Sequence, residues 1–307
     1  MAEFFPPRAL TYIKKKIFEK TFPTLTYLPG GPNSAGFPIS QEMPPGAQFM
    51  GFNMSEAVGK AIITSDYADD IPTSDAFLTE GMVRRVTLIS CFQYSDDELE
   101  SEGFSGMPLR ATKGTAAREI VEMLMEKIAY YGGKTANGKV SVYGLLNLPN
   151  VVTGSVPNGS WTGATTAADM LADLNAILAG QRTATNGMEQ GTILGLPATY
   201  YALASQKPRL TTDMTVLDFF LKTHPWISAV KPLPLLESAN SDGALAVDTA
   251  ILYTNDVDKA SLEIPKLVTV GVPQKLKIMN WVVPVLMQTA GWMAEYPKSI
   301  ARFDLVP

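Results

Sequence analysis

Residues 108–133 read PLRATKGTAAREIVEMLMEKIAYYGG. Pro108 suits the first turn of a helix, where its missing N–H is not needed. Ala117, Val121, Leu124, Ile128 and Tyr131 then recur at spacings of 4, 3, 4 and 3. That period predicts one apolar stripe along a helix. Arg118, Glu122 and Glu126 fall on another face, with Arg118 and Glu122 one turn apart. Gly132-Gly133 ends the helix, because glycine accepts the backbone conformation of a C-terminal cap. About two dozen residues at 1.5 Å each make a rod of roughly 35 Å.

Upstream, Ser95-Asp96-Asp97-Glu98 spells a capping box, in which Ser95 and Glu98 satisfy each other's backbone amides. A short helix follows and stops at Gly103. Residues 56–102 hold eleven acids against Lys60, Arg84 and Arg85, a local charge of −8. Lys60–Thr64 and Met82–Phe92 read as strands around these acids. Val83, Val86, Leu88, Ile89 and Phe92 make a run that looks more buried than alternating. The region reads as a long two-stranded excursion with an acidic turn. Asp66, Asp69, Asp70 and Asp75 lack the spacing and central glycine of a calcium loop.

Residues 1–50 carry 8 of the 22 prolines, which favours extended chain. They read as an arm lying over something else, with a short helix around Ala9–Lys20. Arg8, Lys14, Lys15, Lys16 and Lys20 against Glu3 and Glu19 give residues 1–22 a charge of +3. The plain reading is a solvated basic face. The sharper one docks these cations on the acidic excursion, at Asp66, Asp69, Asp70 and Asp75.

Downstream, Val140 to Ala168 is uncharged and reads as a Gly-rich loop, with a domain boundary near Asn150. Ala167, Leu171, Leu174 and Leu178 predict a helix over 165–179, stopped by Gly180. Ala198–Leu203 reads as a strand. Asp213–Thr223 reads as a helix with Val216, Leu217, Phe220 and Leu221 inward. Strands are expected at Trp226–Leu233, Ala246–Tyr253 and Leu276–Met287, then Trp292–Phe303 with Pro297 at a turn. Ile278–Ala294 is 17 residues of uncharged, mostly apolar chain, too short for a normal membrane span and better read as a strand pair.

The chain's 307 residues are 46% hydrophobic and 18% charged, so a sizeable core can form while much surface stays uncharged. A net charge of −5 argues against whole-protein nucleic-acid binding. One cysteine, Cys91, and one histidine, His224, exclude an internal disulfide and any zinc site with three or four Cys/His ligands. Gly132-Gly133-Lys134-Thr135 lacks the upstream glycine of a phosphate loop and follows a helix. Gly103-Phe104-Ser105-Gly106-Met107 misses the nucleophile-elbow spacing. His224 sits at a helix end, where a cation is favoured. Cys91 reads as a small buried hydrophobe. Asp96, Asp97, Glu98 and Glu100 crowd a helix N-terminus, which stabilises acids anyway. The sequons at Asn53 and Asn158 are read as chance matches. No catalytic residue, cofactor or metal site is expected.

The order of elements carries more than any site: arm, excursion, long helix, inserted α/β region, closing strands. The chain resembles the major capsid proteins of tailed bacteriophages, of the Hong Kong 97-like fold. More narrowly it resembles a phage major-capsid family formerly known only as a domain of unknown function. The likeness rests on Gly59-Lys60-Ala61 with Asp69-Asp70-Ile71-Pro72, and on Gln93-Tyr94-Ser95 with Glu98-Leu99. It continues through Tyr143-Gly144-Leu145-Leu146-Asn147-Leu148-Pro149, Ile264-Pro265, Gly291-Trp292-Met293 and Pro297-Lys298-Ser299-Ile300.

The resemblance implies an α+β fold with residues 1–45 as N-terminal arm and 46–83 as extended loop. It makes 84–150 plus 276–307 a peripheral domain and 151–275 an axial domain. It implies a structural subunit that assembles with itself, as hexamers and pentamers, into an icosahedral shell around a phage genome. Portal, scaffold or decoration proteins and non-specific contact with double-stranded DNA come with that reading; a membrane does not. The expected place is the virion, with assembly in the host cytoplasm. Some relatives carry a scaffolding segment before the arm; with about 45 residues before the loop, the expectation is a mature cleaved form, a separate scaffold or none, and Met1 favours an uncleaved product. Some members also cross-link a lysine to an asparagine with help from a glutamate. Lys60 lies in the loop region, but no partner is identified. The alternatives are an encapsulin-like cellular compartment shell and, from another class, an α+β enzyme using carboxylates.

Overall fold

A computed structural model describes residues 25–29, 34–63, 72–105, 108–134, 140–209, 213–276 and 279–306. The chain enters through Leu25–Leu28 and a short strand, β1 (Ile39–Ser40). It then runs out along β2 (Phe49–Val58) and back along β3 (Asp75–Arg84), paired antiparallel over ten residues. Past Arg85 the same path continues as β4 (Val86–Ser95). Next come α1 (Asp96–Ser105) and α2 (Leu109–Tyr131). β5 (Gly133–Lys134) and β6 (Val140–Val142) form a small hairpin after α2. The inserted region holds β7 (Val152–Ser155), α3 (Ala167–Ala184), β8 (Ile193–Leu196), α4 (Ala198–Gln206), α5 (Val216–Thr223), β9 (Ala229–Pro232) and β10 (Thr249–Tyr253). The chain closes with β11 (Ala260–Glu263), β12 (Lys266–Val270), β13 (Gln274–Lys275), β14 (Asn280–Thr289), β15 (Gly291–Ala294) and β16 (Ile300–Asp304).

Two hydrophobic cores result. In the first, α2 lies on the sheet in which β14 is flanked by β4 on one side and by β12 and β13 on the other. The three strands β1, β11 and β15 complete it. The buried face of α2 is Ala117, Val121, Met125, Ile128 and Ala129, with Tyr130. Gly132 ends the helix at φ 72°, and a Cβ there would sit 2.5 Å from the Val142 carbonyl oxygen. Phe37 is the hub of an aromatic cluster, with ring centroids 5.4 Å from Tyr130, 5.6 Å from Tyr253 and 5.2 Å from Trp292. In the second core, α3, α4 and α5 cover a five-stranded sheet of order β7-β16-β10-β8-β9.

Several expectations change. The expected α2 stripe holds at Ala117, Val121 and Ile128 but not at Leu124, which is 45% exposed while the next residue, Met125, is fully buried. Cys91 is exposed, because β4 alternates inward Leu88 and Tyr94 with outward Ile89 and Cys91. Lys60–Ile63 is not a strand and is exposed throughout. Ala198–Leu203 lies in helix α4; the strand ends at Leu196, before Pro197. Gly180 does not stop α3. A Cβ at Gly180 would lie 2.4 Å from the Phe303 ring, so glycine there lets the helix approach β16. The cores also interleave along the chain. β11 and β12 pair with β15 and β14, while β16 pairs with β7 and β10, across the lines drawn at 150/151 and 275/276.

The arm divides as well. Tyr27, Ala35, Phe37 and Met43 are buried in the chain's own body rather than laid over another. The expected helix at Ala9–Lys20 lies outside the described residues.

Candidate assembly surfaces

Facing residues of an antiparallel pair point to the same side of the ribbon. One side of the β2–β3 ribbon therefore carries Phe49, Met82 and Leu78. The other carries Met50, Val83, Phe52, Met54, Phe77 and Val58. Near the base, Met50, Phe52, Met54 and Val83 are half-buried, and the Phe52 ring fills the space a Cβ at Gly81 would need. Farther out, Leu78 is 77%, Met82 69% and Phe77 60% exposed. A two-stranded ribbon is marginal in water by itself. One with large apolar side chains exposed on both sides needs cover from outside its own ladder.

The arm is pinned by a polar clasp. The Thr26 amide and hydroxyl donate to the Glu126 carboxylate at 2.9 and 2.7 Å, and Tyr130 Oη shares the hydroxyl at 2.6 Å. Burial pushes the Glu126 carboxyl above the usual carboxylate range, against the two Thr26 hydrogen bonds. Tyr27, beside it, is raised by burial and by the Glu122 and Glu126 charges. This clasp fixes where residue 25 leaves the body.

Of the sequence-expected contact residues, Arg8, Lys14, Lys15, Lys16, Lys20, Asp66, Asp69 and Asp70 lie outside the described residues. Lys60 and Asp75 are brought together at the far end of the ribbon, where Val58 pairs with Asp75. Lys60 is exposed beside a cleft of about 560 Å³ lined also by Val58, Ile62, Pro72 and Ser74. Asp75 accepts from the Ala76 amide at 2.8 Å. Reading the excursion by its acids missed its apolar side chains. The available signal was Phe77, Leu78 and Met82 within six residues of β3, with Phe49 on the paired strand.

Catalytic candidates resolve into structural roles. His224 caps α5 with Nδ1 3.0 Å from the Phe220 carbonyl oxygen and its ring edge-on to Trp226. The capping box forms, with Glu98 N to Ser95 Oγ at 3.2 Å and Ser95 N to Glu98 Oε2 at 3.3 Å. Glu98 binds Lys113 at 2.7 Å, and Asp96 accepts from Trp281 Nε1 at 2.7 Å. Asp173, fully buried, takes Trp161 Nε1 at 2.7 Å and the Asn158 amide at 2.9 Å, which ties the second sequon to the α3 packing. Among the described residues, no three His, Cys, Asp or Glu gather to hold a metal, and no helix is long and apolar enough to cross a membrane.

A family model described as "Major capsid protein" matches residues 59–306. No curated protein matches the chain significantly. Among solved structures, the capsid of Myoviridae phage XM1 superposes with a TM-score of 0.82 at 16% identity, covering 98% of this chain and 99% of that one. The cyanophage Pam1 capsid gives 0.61 at 10% identity over 100% of both chains. A virus-like particle from Pyrococcus furiosus gives 0.56 at 11% identity, covering 88% and 90%. These likenesses show the fold.

Proposed function

Because this chain belongs to the major capsid protein family and is therefore a structural capsid subunit, not an enzyme, we propose how its surfaces build the shell. Copies assemble as hexamers and pentamers into a closed icosahedral shell around a phage genome. The first core serves as the peripheral domain and the second as the axial domain that meets its copies at the five- and sixfold positions. The ribbon is the extended loop that lies on a neighbouring subunit.

One observation carries this reading: the outer ribbon exposes large apolar side chains on both sides, uncovered by the described residues of its own chain. Covering it on assembly removes Leu78, Met82 and Phe77 from water at about 25 cal/mol per Å². A closed lattice repeats that gain at every subunit. Basic residues 1–22 would add a salt-sensitive contact to the acidic loop end around Asp75. Portal, scaffold or decoration proteins and non-specific contact with double-stranded DNA complete the proposed partners, with assembly in the host cytoplasm. The cellular-compartment alternative has less support, since the matching family is one of capsid proteins.

The test is assembly of Leu78→Asp with Met82→Asp, followed by sedimentation and electron microscopy. Wild type should form particles, and the double variant should remain as folded subunits. Particles of normal size from the variant would refute the ribbon's role. Wild-type protein that never passes beyond dimers, across salt and concentration, would refute the shell reading itself.

A further inference from the structure

β4 is an open sheet edge. Its even-numbered residues face β14: the Asp96 amide bonds the Met279 carbonyl oxygen, and Tyr94 stands opposite Trp281. Its odd-numbered backbone groups point the other way. The Arg85 amide bonds Gln48 there, and Lys113 Nζ reaches the Gln93 carbonyl oxygen at 3.2 Å. Between them lie the outward amides and carbonyls of Thr87, Ile89 and Cys91. Among the described residues only β14 pairs with β4. Natural edges are guarded by charge, proline or bulges. Val86–Ser95 has no charged residue, no proline and an unbroken ten-residue register.

The ribbon's far end offers the matching half. Lys60-Ala61-Ile62-Ile63 has the composition of a strand yet pairs with nothing described, and Ile63 is fully exposed. Ten paired residues, roughly 33 Å at 3.3 Å each, separate this tip from Arg85, where β4 begins. With that ladder intact, the tip cannot turn back onto its own β4. It can reach the β4 of another copy.

We propose that residues 60–63 of one subunit add, antiparallel, as a strand to the free β4 edge of a second copy. Backbone hydrogen bonds supply the pairing and alternate side chains supply the fit, as in other strand additions. Antiparallel order brings Lys60 toward the β4 end carrying Asp96, Asp97 and Glu98, so charge sets the direction. Ile62 and Ile63 project to opposite faces of the added strand, so one of them lies on the exposed face of Cys91 and Ile89. This rests on the shell reading above and names the contact by which the ribbon tip holds its neighbour.

Cys91 is the chain's one cysteine and lies on this edge, which gives a direct test. Cysteine is placed singly at positions 60, 61, 62 and 63, and at Met188 as an exposed control. Assembled particles are oxidised with copper-phenanthroline and run on non-reducing gels. At least one tip position should give a ladder of linked subunits, lost on adding Cys91→Ser and absent from Met188→Cys. In parallel, Ile89→Pro removes only an outward amide. It should leave subunit melting near wild type and lose particles. Particles that form with no link from any of the four tip positions would overturn the pairing while leaving the shell reading intact. A wild-type protein that never assembles would overturn both.

Discussion

Adjacent residues on α2 should behave oppositely, and the difference can be worked from burial. Met125 has no exposed surface and packs in the first core with Val121, Ile128 and the sheet beneath; Leu124 is 45% exposed. Met125→Ala removes a buried side chain from a packed site, a change that costs about 2–5 kcal/mol. Fully burying a leucine is worth about 1.5–3 kcal/mol, so Leu124, half out of water, should lose only about 1 kcal/mol on truncation. At about 2–4 °C per kcal/mol for a domain of 150–250 residues, Met125→Ala should melt roughly 4–20 °C lower and Leu124→Ala within about 4 °C of wild type. The aspartate pair sharpens the contrast. Met125→Asp buries an unpaired carboxylate and should not fold, whereas Leu124→Asp should yield folded subunits. The assay is thermal and urea unfolding of unassembled protein, with assembly scored separately. Equal losses at the two positions would refute the assigned helix face.

Glu126, raised by burial, contributes stability that is full below the ordinary carboxylate value near 4.3 and is lost as pH rises through its elevated folded value. Glu126→Gln should therefore melt higher than wild type at neutral pH and flatten the profile above the ordinary carboxylate range; a neutral-pH loss in the variant would contradict this. Gly180→Ala should destabilise despite alanine's helix preference of about 1 kcal/mol, because its methyl meets the Phe303 ring, and Phe303→Leu should recover part of the loss in a double-mutant cycle. Removing residues 1–22 should leave subunit melting unchanged and lower the salt concentration at which particles dissociate, whereas removal through residue 40 should abolish folding by deleting Tyr27 and Phe37. Equal salt resistance with and without residues 1–22 would leave the basic segment no role in the shell.

The parts legible in the sequence were those coded by local chemistry. The Ser95–Glu98 box and the Pro108 and Gly132 limits of α2 depend on neighbours in the chain, and they form as read. Within the α2 stripe Ala117, Val121 and Ile128 were legible, but the choice between Leu124 and Met125 was not, because both are apolar and only the sheet beneath chooses between them. Gly180 read as a stop because its partner, Phe303, lies 123 residues away. Cys91 read as buried because an apolar run does not say whether a strand is covered on one face or two. Thr26 and Glu126, 100 residues apart, gave no local sign that the arm is clasped to the long helix.

The search for chemistry failed for a physical reason. A catalytic site gathers perturbed groups in a concave pocket. Here Tyr27, Tyr130, Tyr253 and Glu126, all raised by burial, sit in the packing around the arm. What the chain leaves unsatisfied is spread over surface instead: the two apolar sides of a ribbon, an uncharged strand edge, and a strand-like tip without a strand. Each would be a liability in a protein that worked alone, since exposed edges and apolar patches promote association. They are mutually compatible if the same copy that exposes an edge also carries the tip that covers another's. A heterologous contact of that kind closes when the rotation it imposes completes a ring. On the proposed pairing, that rotation would be set where the ribbon leaves Arg85, between the base hydrogen bond to Gln48 and the start of β4.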